Sequence, residues 1–175
     1  MNNLPKFHIR EAKSDEFEAL GELMVTVYSQ LPGFPKQDEQ PVYYQMLANI
    51  GKLTENPGTR ILVAVNDVEK IGGGVVYIAD MQYYGSGGTA TQERNAAGFR
   101  LLAVDPATRG QGLGKKLTQA CIQLAKDEGQ QQIVIHSTEA MQVAWKMYER
   151  MGFERSLDLD FLQKGFPVFG FRLKL

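Results

Sequence analysis

Residues 104–115 of the chain read Val-Asp-Pro-Ala-Thr-Arg-Gly-Gln-Gly-Leu-Gly-Lys. This run lies between a strand-like stretch, residues 99–103, and an amphipathic stretch that begins at Leu113, so its three glycines fall where a strand is followed by a helix. Glycine lets the backbone approach a ligand closely and adopt positive φ, and the first N–H groups of a helix have no partner within it. The run therefore predicts an α/β fold in which this turn holds the phosphate of a cofactor.

The spacing of the glycines excludes two common phosphate-binding motifs. A P-loop requires Gly-Lys followed by Ser or Thr, but Gly114 and Lys115 are followed by Lys116. The dinucleotide fingerprint Gly-x-Gly-x-x-Gly also fails, because Gly114 comes one residue too early. From the glycines alone, a turn that binds nothing is the open alternative.

Two signatures resemble those of the GNAT acyltransferase superfamily. Residues 109–114, Arg-Gly-Gln-Gly-Leu-Gly, resemble its acyl-CoA motif Arg/Gln-x-x-Gly-x-Gly/Ala, and residues 144–153 resemble its second motif, a helix that carries a tyrosine and ends in Gly-Phe. The resemblance is specific over about residues 98–155. It implies one GNAT domain over residues 1–175, an α/β (α+β) fold. The fold would have about four helices and a central, mixed, mostly antiparallel sheet of six to seven strands. Strands 4 and 5 of this sheet would be parallel and splayed apart.

The resemblance also implies acetyl-CoA as the acyl donor and assigns residues to it. Backbone N–H groups of residues 109–114 would hold the pyrophosphate, and the N–H of Val104 would polarise the thioester carbonyl. Tyr148 would act as a general acid or as a donor to the CoA thiolate. The expected cofactor-binding residues are Leu102, Ala103, Val104, Arg109, Gly110, Gln111, Gly112, Leu113, Gly114, Lys115, Ala144 and Tyr148. Tyr148 also fits a stripe of core residues at helical spacing, and that alternative stays open.

The general base is less well defined by the sequence. Many family members have a glutamate six residues before the position of Val104, where this chain has Gly98. Glu93, at the entry to the fourth strand, is the base that the sequence favours, with Asp80 and His136 as alternatives. A base must reach the amine directly or through one water. Each of the three candidates could instead have a structural role.

The segments before and after the fourth strand bear on the acceptor amine. In the GNAT fold the first two helices cover the substrate cleft, so they would place aromatic residues in an acceptor pocket or pack them against the sheet. The aromatic candidates are Tyr28, Phe34, Tyr43 and Tyr44. The polar connection 80–97 is long for a compact domain and could select the acceptor or be plain surface.

The composition excludes several function classes. The chain has 175 residues, 43% of them hydrophobic, and 19 basic against 20 acidic residues, which predicts one globular domain without affinity for nucleic acid or anionic membrane. No stretch approaches about 18 apolar residues, and residues 1–6 lack the apolar core of a signal peptide, so a cytoplasmic protein is expected. Two histidines without a carboxylate cluster predict no metal site.

These observations predict an acetyl-CoA-dependent N-acetyltransferase. It would transfer the acetyl group to a primary amine of a small molecule by direct attack in a ternary complex. One alternative is a catalytically silent acyl-CoA-binding regulatory module, and another is a protein N-terminal or lysine acetyltransferase. The aromatic run 166–171 could complete the core or pair with another subunit, so monomer and homodimer are both open.

Overall fold

The computed structural model describes residues 4–175; residues 1–3, part of the segment used to argue against a signal peptide, lie outside that range. The described chain has four α-helices: α1 Phe17–Ser29, α2 Pro41–Ala48, α3 Leu113–Asp127 and α4 Gln142–Arg150. Its eight strands are β1 Phe7–Glu11, β2 Thr59–Asn66, β3 Ile71–Ile78, β4 Ala96–Val104, β5 Gln132–Ser137, β6 Glu154–Arg155, β7 Phe161–Gln163 and β8 Phe166–Lys174.

The strands form a mixed sheet in the order β1-β2-β3-β4-β5-β8-β6, with β7 paired to β8. The β4–β5 pair is parallel and the other pairs are antiparallel. Parallel neighbours need a crossover connection, which α3 supplies between β4 and β5. The predicted fold class and the parallel central pair are therefore confirmed.

Both faces of the sheet are covered by helices, because its central strands are apolar on both sides. Along β5, Val134 belongs to the core cluster that includes residues of α1 and α2, whereas Ile133 and Ile135 belong to the cluster that includes residues of α3 and α4. This alternation follows from the two-residue period of a strand. Strands buried on both faces read as continuous apolar runs, which is why this segment shows no polar alternation.

The strand count exceeds the predicted six to seven, and a further element follows α2. This helix ends at Ala48, and a 3-10 segment, Ile50–Glu55, comes after it. The sheet has eight strands because the closing segment is divided into the short strands β6 and β7 and the long β8. A turn at Lys164 and Gly165, both with positive φ, reverses the chain between β7 and β8.

The triple glycine of β3 allows close packing against its neighbours. A Cβ at Gly73 would lie 2.9 Å from the Ala103 carbonyl oxygen, and one at Gly74 would lie 2.7 Å from Leu20 Cδ1. The register with β4 shifts between Gly74 and Val76. The triple glycine thus coincides with an irregularity in the pairing of β3, and it permits the close approach of β4 and α1.

Candidate active site

The phosphate loop, residues 109–114, is held in place by the residues before it. Asp105 accepts a hydrogen bond from the Ala107 N–H at 2.8 Å and so caps the 3-10 turn Pro106–Thr108. The buried Thr108 hydroxyl donates to the Gly72 carbonyl oxygen at 2.9 Å, which ties the turn to β3. The loop therefore reaches α3 from an anchored position.

The glycines of the phosphate loop leave open space before the N-terminus of α3. Gly110 and Gly112 have φ of 83° and 73°, and a Cβ at either would meet no atom within 4 Å. Gly112 is the residue that precedes the 15-residue helix α3, whose first N–H groups have no partner within the helix. Backbone donors, the helix dipole and free space together fit a pyrophosphate.

The remaining predicted cofactor residues of this region lie around that space. Arg109 and Lys115 are exposed, and Gln111 and Gly114 are half-buried. The Leu113 side chain is 2% exposed and belongs to the core, so its backbone is the part available to a ligand. Two cations beside the loop add favourable charge for phosphate, which solvent screens.

Strands β4 and β5 separate after three paired residues, which creates an opening in the sheet. Their pairing ends at Gly98 and Val134, whereas β5 stays paired with β8 on its other side as far as Ser137. The Asp105 N–H donates to the Gly72 carbonyl oxygen on β3 at 2.9 Å. Because backbone groups alternate along a strand, the N–H of Val104 faces the opening instead. The predicted splay thus leaves backbone donors of β4 free toward a ligand.

A bulge in β4 precedes these free donors. Leu101 has φ of 61°, and Arg100 and Leu101 both face α1 and α2, whereas Phe99 and Leu102 face α3 and α4. A bulge inserts one extra residue into a strand and redirects its side chains. Of the other predicted residues here, Ala103 is buried and Leu102 and Val104 are half-buried.

Tyr148 lies on α4 beside the opening. Its ring packs at 5.8 Å from that of Phe99, the first residue of β4 after the separation, and at 5.6 Å from Phe153. Within residues 4–175 its hydroxyl forms no hydrogen bond, although the residue is 5% exposed. Burial raises the pKa of Tyr148 well above its usual value, so the phenol stays protonated as a donor.

Two further hydroxyls near the opening lack partners. Ser137 and Thr138, at the carboxyl end of β5, are 2% and 5% exposed, and neither hydroxyl has a hydrogen-bond partner among the described residues. Buried polar groups are normally satisfied. A ligand between the strands would supply such partners, which supports the fit of a pantetheine arm with its amides.

Ala144, also a predicted cofactor contact, is half-buried on α4.

The face of the sheet beneath α1 and α2 carries an aromatic cluster, formed by Tyr28, Phe34, Tyr43 and Phe166. Successive ring centroids are 5.4 Å apart for Tyr28 and Phe34, 5.7 Å for Phe34 and Tyr43, and 6.3 Å for Phe34 and Phe166. Tyr44 is instead 1% exposed and donates from its hydroxyl to the Pro35 carbonyl oxygen at 2.7 Å. Of the four aromatic candidates, Tyr44 therefore has a structural role.

The connection between β3 and β4 packs inward over the same face. Tyr84 is 2% exposed, and its hydroxyl lies 3.2 Å from Nδ1 of His136. Nε2 of His136 lies 2.9 Å from the Leu159 carbonyl oxygen, which only an N–H can satisfy. His136 is therefore the Nε2–H tautomer, and Nδ1 accepts a hydrogen bond from Tyr84. Burial lowers the pKa of His136, so the ring is neutral at pH 7.

The structure places Glu93 away from this pair. One of its oxygens is in an ion pair with Arg172, and the other accepts a hydrogen bond from Gln132 Nε2 at 3.2 Å. Glu93 therefore lies at the paired end of β4, opposite to Val104, and is not the free carboxylate that we expected beside the cleft. Asp80 is exposed and accepts two hydrogen bonds from Gln82.

Gly98, the position where the resemblance led us to expect a glutamate, has no room for a side chain. A Cβ there would lie 2.8 Å from the Val134 carbonyl oxygen and 2.9 Å from both Met81 Sδ and Tyr84 Cε2. The Tyr84 ring therefore fills the space that a glutamate would need. Sequence reasoning missed Tyr84 and the neighbouring Arg100; a charged residue inside the apolar run 99–104 was the available signal for the second.

The sequence model of the Acetyltransferase (GNAT) family matches residues 18–153, so the chain belongs to the GNAT family. N-alpha-acetyltransferase 30 of Schizosaccharomyces pombe is 42% identical over 55 residues, which make up 31% of this chain and 37% of that protein. The chain therefore matches little more than a third of the length of that curated relative.

Solved structures show the same fold. A GNAT-family acetyltransferase from Staphylococcus aureus Mu50 has a TM-score of 0.73 at 22% identity, covering 97% of this chain and 99% of that one. The PaiA N-acetyltransferase of Thermoplasma acidophilum, in complex with coenzyme A, has a TM-score of 0.73 at 15% identity with the same coverage. At such identities the likeness shows the fold.

Residues 4–175 contain no group of three or more His, Cys, Asp or Glu side chains placed to hold a metal ion. In the same range, no helix combines the length and the apolar composition needed to span a membrane.

Proposed function

We propose that the protein is an acetyl-CoA-dependent N-acetyltransferase that acts on the primary amine of a small molecule. The observation that carries this proposal is the opening between β4 and β5. It has the free N–H of Val104 on one strand and the unpaired hydroxyl of Tyr148 beside it. The phosphate loop follows β4 directly, so one ligand can contact all three features.

Acetyl-CoA supplies an activated acetyl group as a thioester. The phosphate loop and the N-terminus of α3 would bind its pyrophosphate. The Val104 N–H would donate to the carbonyl oxygen, on which negative charge develops as the amine attacks. The protonated Tyr148 would donate its hydrogen bond, or its proton, to the departing sulfur.

The acceptor amine must lose a proton, and we assign this step to Tyr84 and His136. Glu93 is engaged by Arg172 and Gln132, whereas Nδ1 of neutral His136 accepts a hydrogen bond from Tyr84. The ammonium proton would pass to the Tyr84 oxygen as the Tyr84 proton passes to Nδ1. The pair thus moves one proton without ionising the phenol.

A small acceptor is favoured by how the β3–β4 connection packs. Its tip lies on β7, since a Cβ at Gly87 would come 2.8 Å from the Phe161 ring. Nearby, the Thr89 hydroxyl donates to the Asp158 carbonyl oxygen at 3.1 Å. This packing would narrow the acceptor side of the cleft, which favours a small acceptor over a bulky protein. The name of the S. pombe relative makes a protein N-terminus the second candidate.

The proposal is tested by calorimetric titration of the purified protein with acetyl-CoA, followed by measurement of thiol release with small amines, polyamines, amino acids and peptides. We expect binding and amine-dependent release with small acceptors. Binding without release from any amine would contradict the transferase assignment and favour a silent acyl-CoA-binding module. Thiol release with peptides and with no small amine would instead identify the protein as a protein acetyltransferase.

A further inference from the structure

Arg100 occupies a half-buried position on β4, opposite the buried Val76 of β3. Because its neighbour Phe99 belongs to the core on the other face, Arg100 lies on the face of β4 that α1 and α2 cover. Its guanidinium carbon lies 5.8 Å from the centre of the Tyr84 ring, and Nη1 donates to the Tyr84 carbonyl oxygen at 2.9 Å. Arg100 is thus held at the inner wall of the acceptor face, by which we mean the face of the sheet beneath α1 and α2 where the acceptor would bind.

The charge of Arg100 has no counterion within the described part of the chain. The three other half-buried arginines, Arg10, Arg155 and Arg172, each form an ion pair with at least one carboxylate. Arg100 forms none, and its hydrogen bond to Tyr84 uses one of the five N–H donors of a guanidinium. A half-buried cation without a partner is costly, so such positions are normally paired.

The groups that surround Arg100 are aromatic or neutral. Its positive charge opposes the rise in pKa that burial causes at Tyr28, Tyr43 and Tyr84, and it contributes to the lowered pKa of His136. Arg100 therefore lies within electrostatic reach of the aromatic cluster and of the proposed proton acceptor. Apolar walls reduce solvent screening, which strengthens the attraction of an anion to this site.

We propose that Arg100 binds a carboxylate of the acceptor, so that the small-molecule substrate is an amine of the amino-acid class. This inference rests on the proposed function. The planar guanidinium matches a carboxylate with two parallel hydrogen bonds. One arginine supplies a single positive charge, which balances a carboxylate and is insufficient for a doubly charged phosphate. His136, which shares Tyr84 with Arg100, then faces the amine end of the same molecule.

The test compares acceptors in matched sets: each α- or ω-amino acid, its carboxamide and its decarboxylated amine. Thiol release is measured for the wild type and for Arg100→Gln, Arg100→Lys and Arg94→Gln, the last being an exposed arginine of the same segment. We expect kcat/KM for amino acids to fall at least about 100-fold in Arg100→Gln. The fall should be smaller in Arg100→Lys, which keeps the charge but loses the two parallel N–H donors of the guanidinium. Acceptors that lack the carboxylate should lose much less, so the ratio of kcat/KM for an amino acid to that for its carboxamide should fall in Arg100→Gln and change less than about threefold in Arg94→Gln.

The outcomes separate this inference from the proposed function. If acetyl-CoA binds and amines release thiol, but carboxamides and decarboxylated amines equal the amino acids in every variant, the transferase stands and the role of Arg100 is rejected. A further measurement does not depend on turnover: calorimetric binding of N-acetylated amino acids to the protein with CoA present. Binding that is lost in Arg100→Gln supports the inference, and absent or unchanged binding overturns it. Retained circular dichroism and acetyl-CoA affinity show that the variants are folded.

Discussion

The hydroxyl of Tyr28 donates a hydrogen bond to the carbonyl oxygen of Leu102 at 3.1 Å. Tyr28 lies on α1 above the sheet, and Leu102 lies on β4 just past the bulge. The bond therefore connects the covering helix to the strand whose backbone faces the opening. Tyr28 is 5% exposed, so water does not readily replace this bond.

Replacement of Tyr28 by phenylalanine removes the bond while keeping the ring. We expect the free energy of unfolding to fall by about 1–3 kcal/mol, because the Leu102 carbonyl oxygen loses a buried partner. Tyr43→Phe is the matched control, since Tyr43 belongs to the same cluster and its hydroxyl forms no hydrogen bond within residues 4–175. Urea denaturation measures both variants. Equal losses in the two would show that the bond is not the stabilising element.

Tyr148→Phe should lower kcat while leaving binding of acetyl-CoA intact. The variant removes the proposed donor to the sulfur, and general acids typically contribute about 10²–10⁴-fold. Tyr77→Phe is the control, because that buried tyrosine donates to Glu128 at 2.8 Å, away from the opening. Its kcat should stay near the wild-type value even if its stability falls. An unchanged rate in Tyr148→Phe across the pH range would reject the assignment of Tyr148.

Gly112→Arg should raise the Kd of acetyl-CoA by about tenfold or more, since an arginine side chain at Gly112 occupies the space proposed for the pyrophosphate. Gly129→Arg is a closely matched control. Gly129 ends the same helix α3, has φ of 74° against 73° for Gly112, and also has open space around an added Cβ. Both variants carry the same backbone strain, so calorimetry isolates the effect of position. Equal affinities in the two variants would contradict the phosphate loop.

His136→Gln should change the pH dependence of kcat at saturating acceptor. In the wild type, neutral His136 accepts the proton, and burial lowers its pKa below the ordinary value of about 6.5, so the ring is still neutral at that pH. The wild-type kcat should therefore be maintained from high pH down to about 6.5 and fall only at lower pH. In the variant, kcat should already fall by about tenfold per pH unit below the pKa of the bound amine.

The control for His136→Gln is His8→Gln, which changes the other histidine of the chain, an exposed residue on β1. Its pH profile should match the wild type. A purely structural role of His136 would lower kcat by the same factor at every pH, which a full profile distinguishes from the expected shift.

The sequence alone determined the phosphate loop, the order of strand and helix around it and the helix that carries Tyr148. These features are local: a positive φ at glycine and the unpaired N–H groups at a helix start depend on a few consecutive residues. The family resemblance then implied the splayed central strands, which the structure confirms.

Tertiary structure alone decided which polar side chains meet at the acceptor face. Tyr84 and His136 are 52 residues apart, and Glu93 and Arg172 are 79 apart, so neither contact has a local sequence signal. The sequence favoured Glu93 as a base because nothing in it shows that Arg172 on β8 pairs with that carboxylate. Arg100 contacts Tyr84 only because the β3–β4 connection folds inward over the sheet, and the bulge at Leu101 changes the register of the residues that follow Arg100. Such positions depend on sheet register and loop packing, which long-range contacts determine and short sequence patterns do not record.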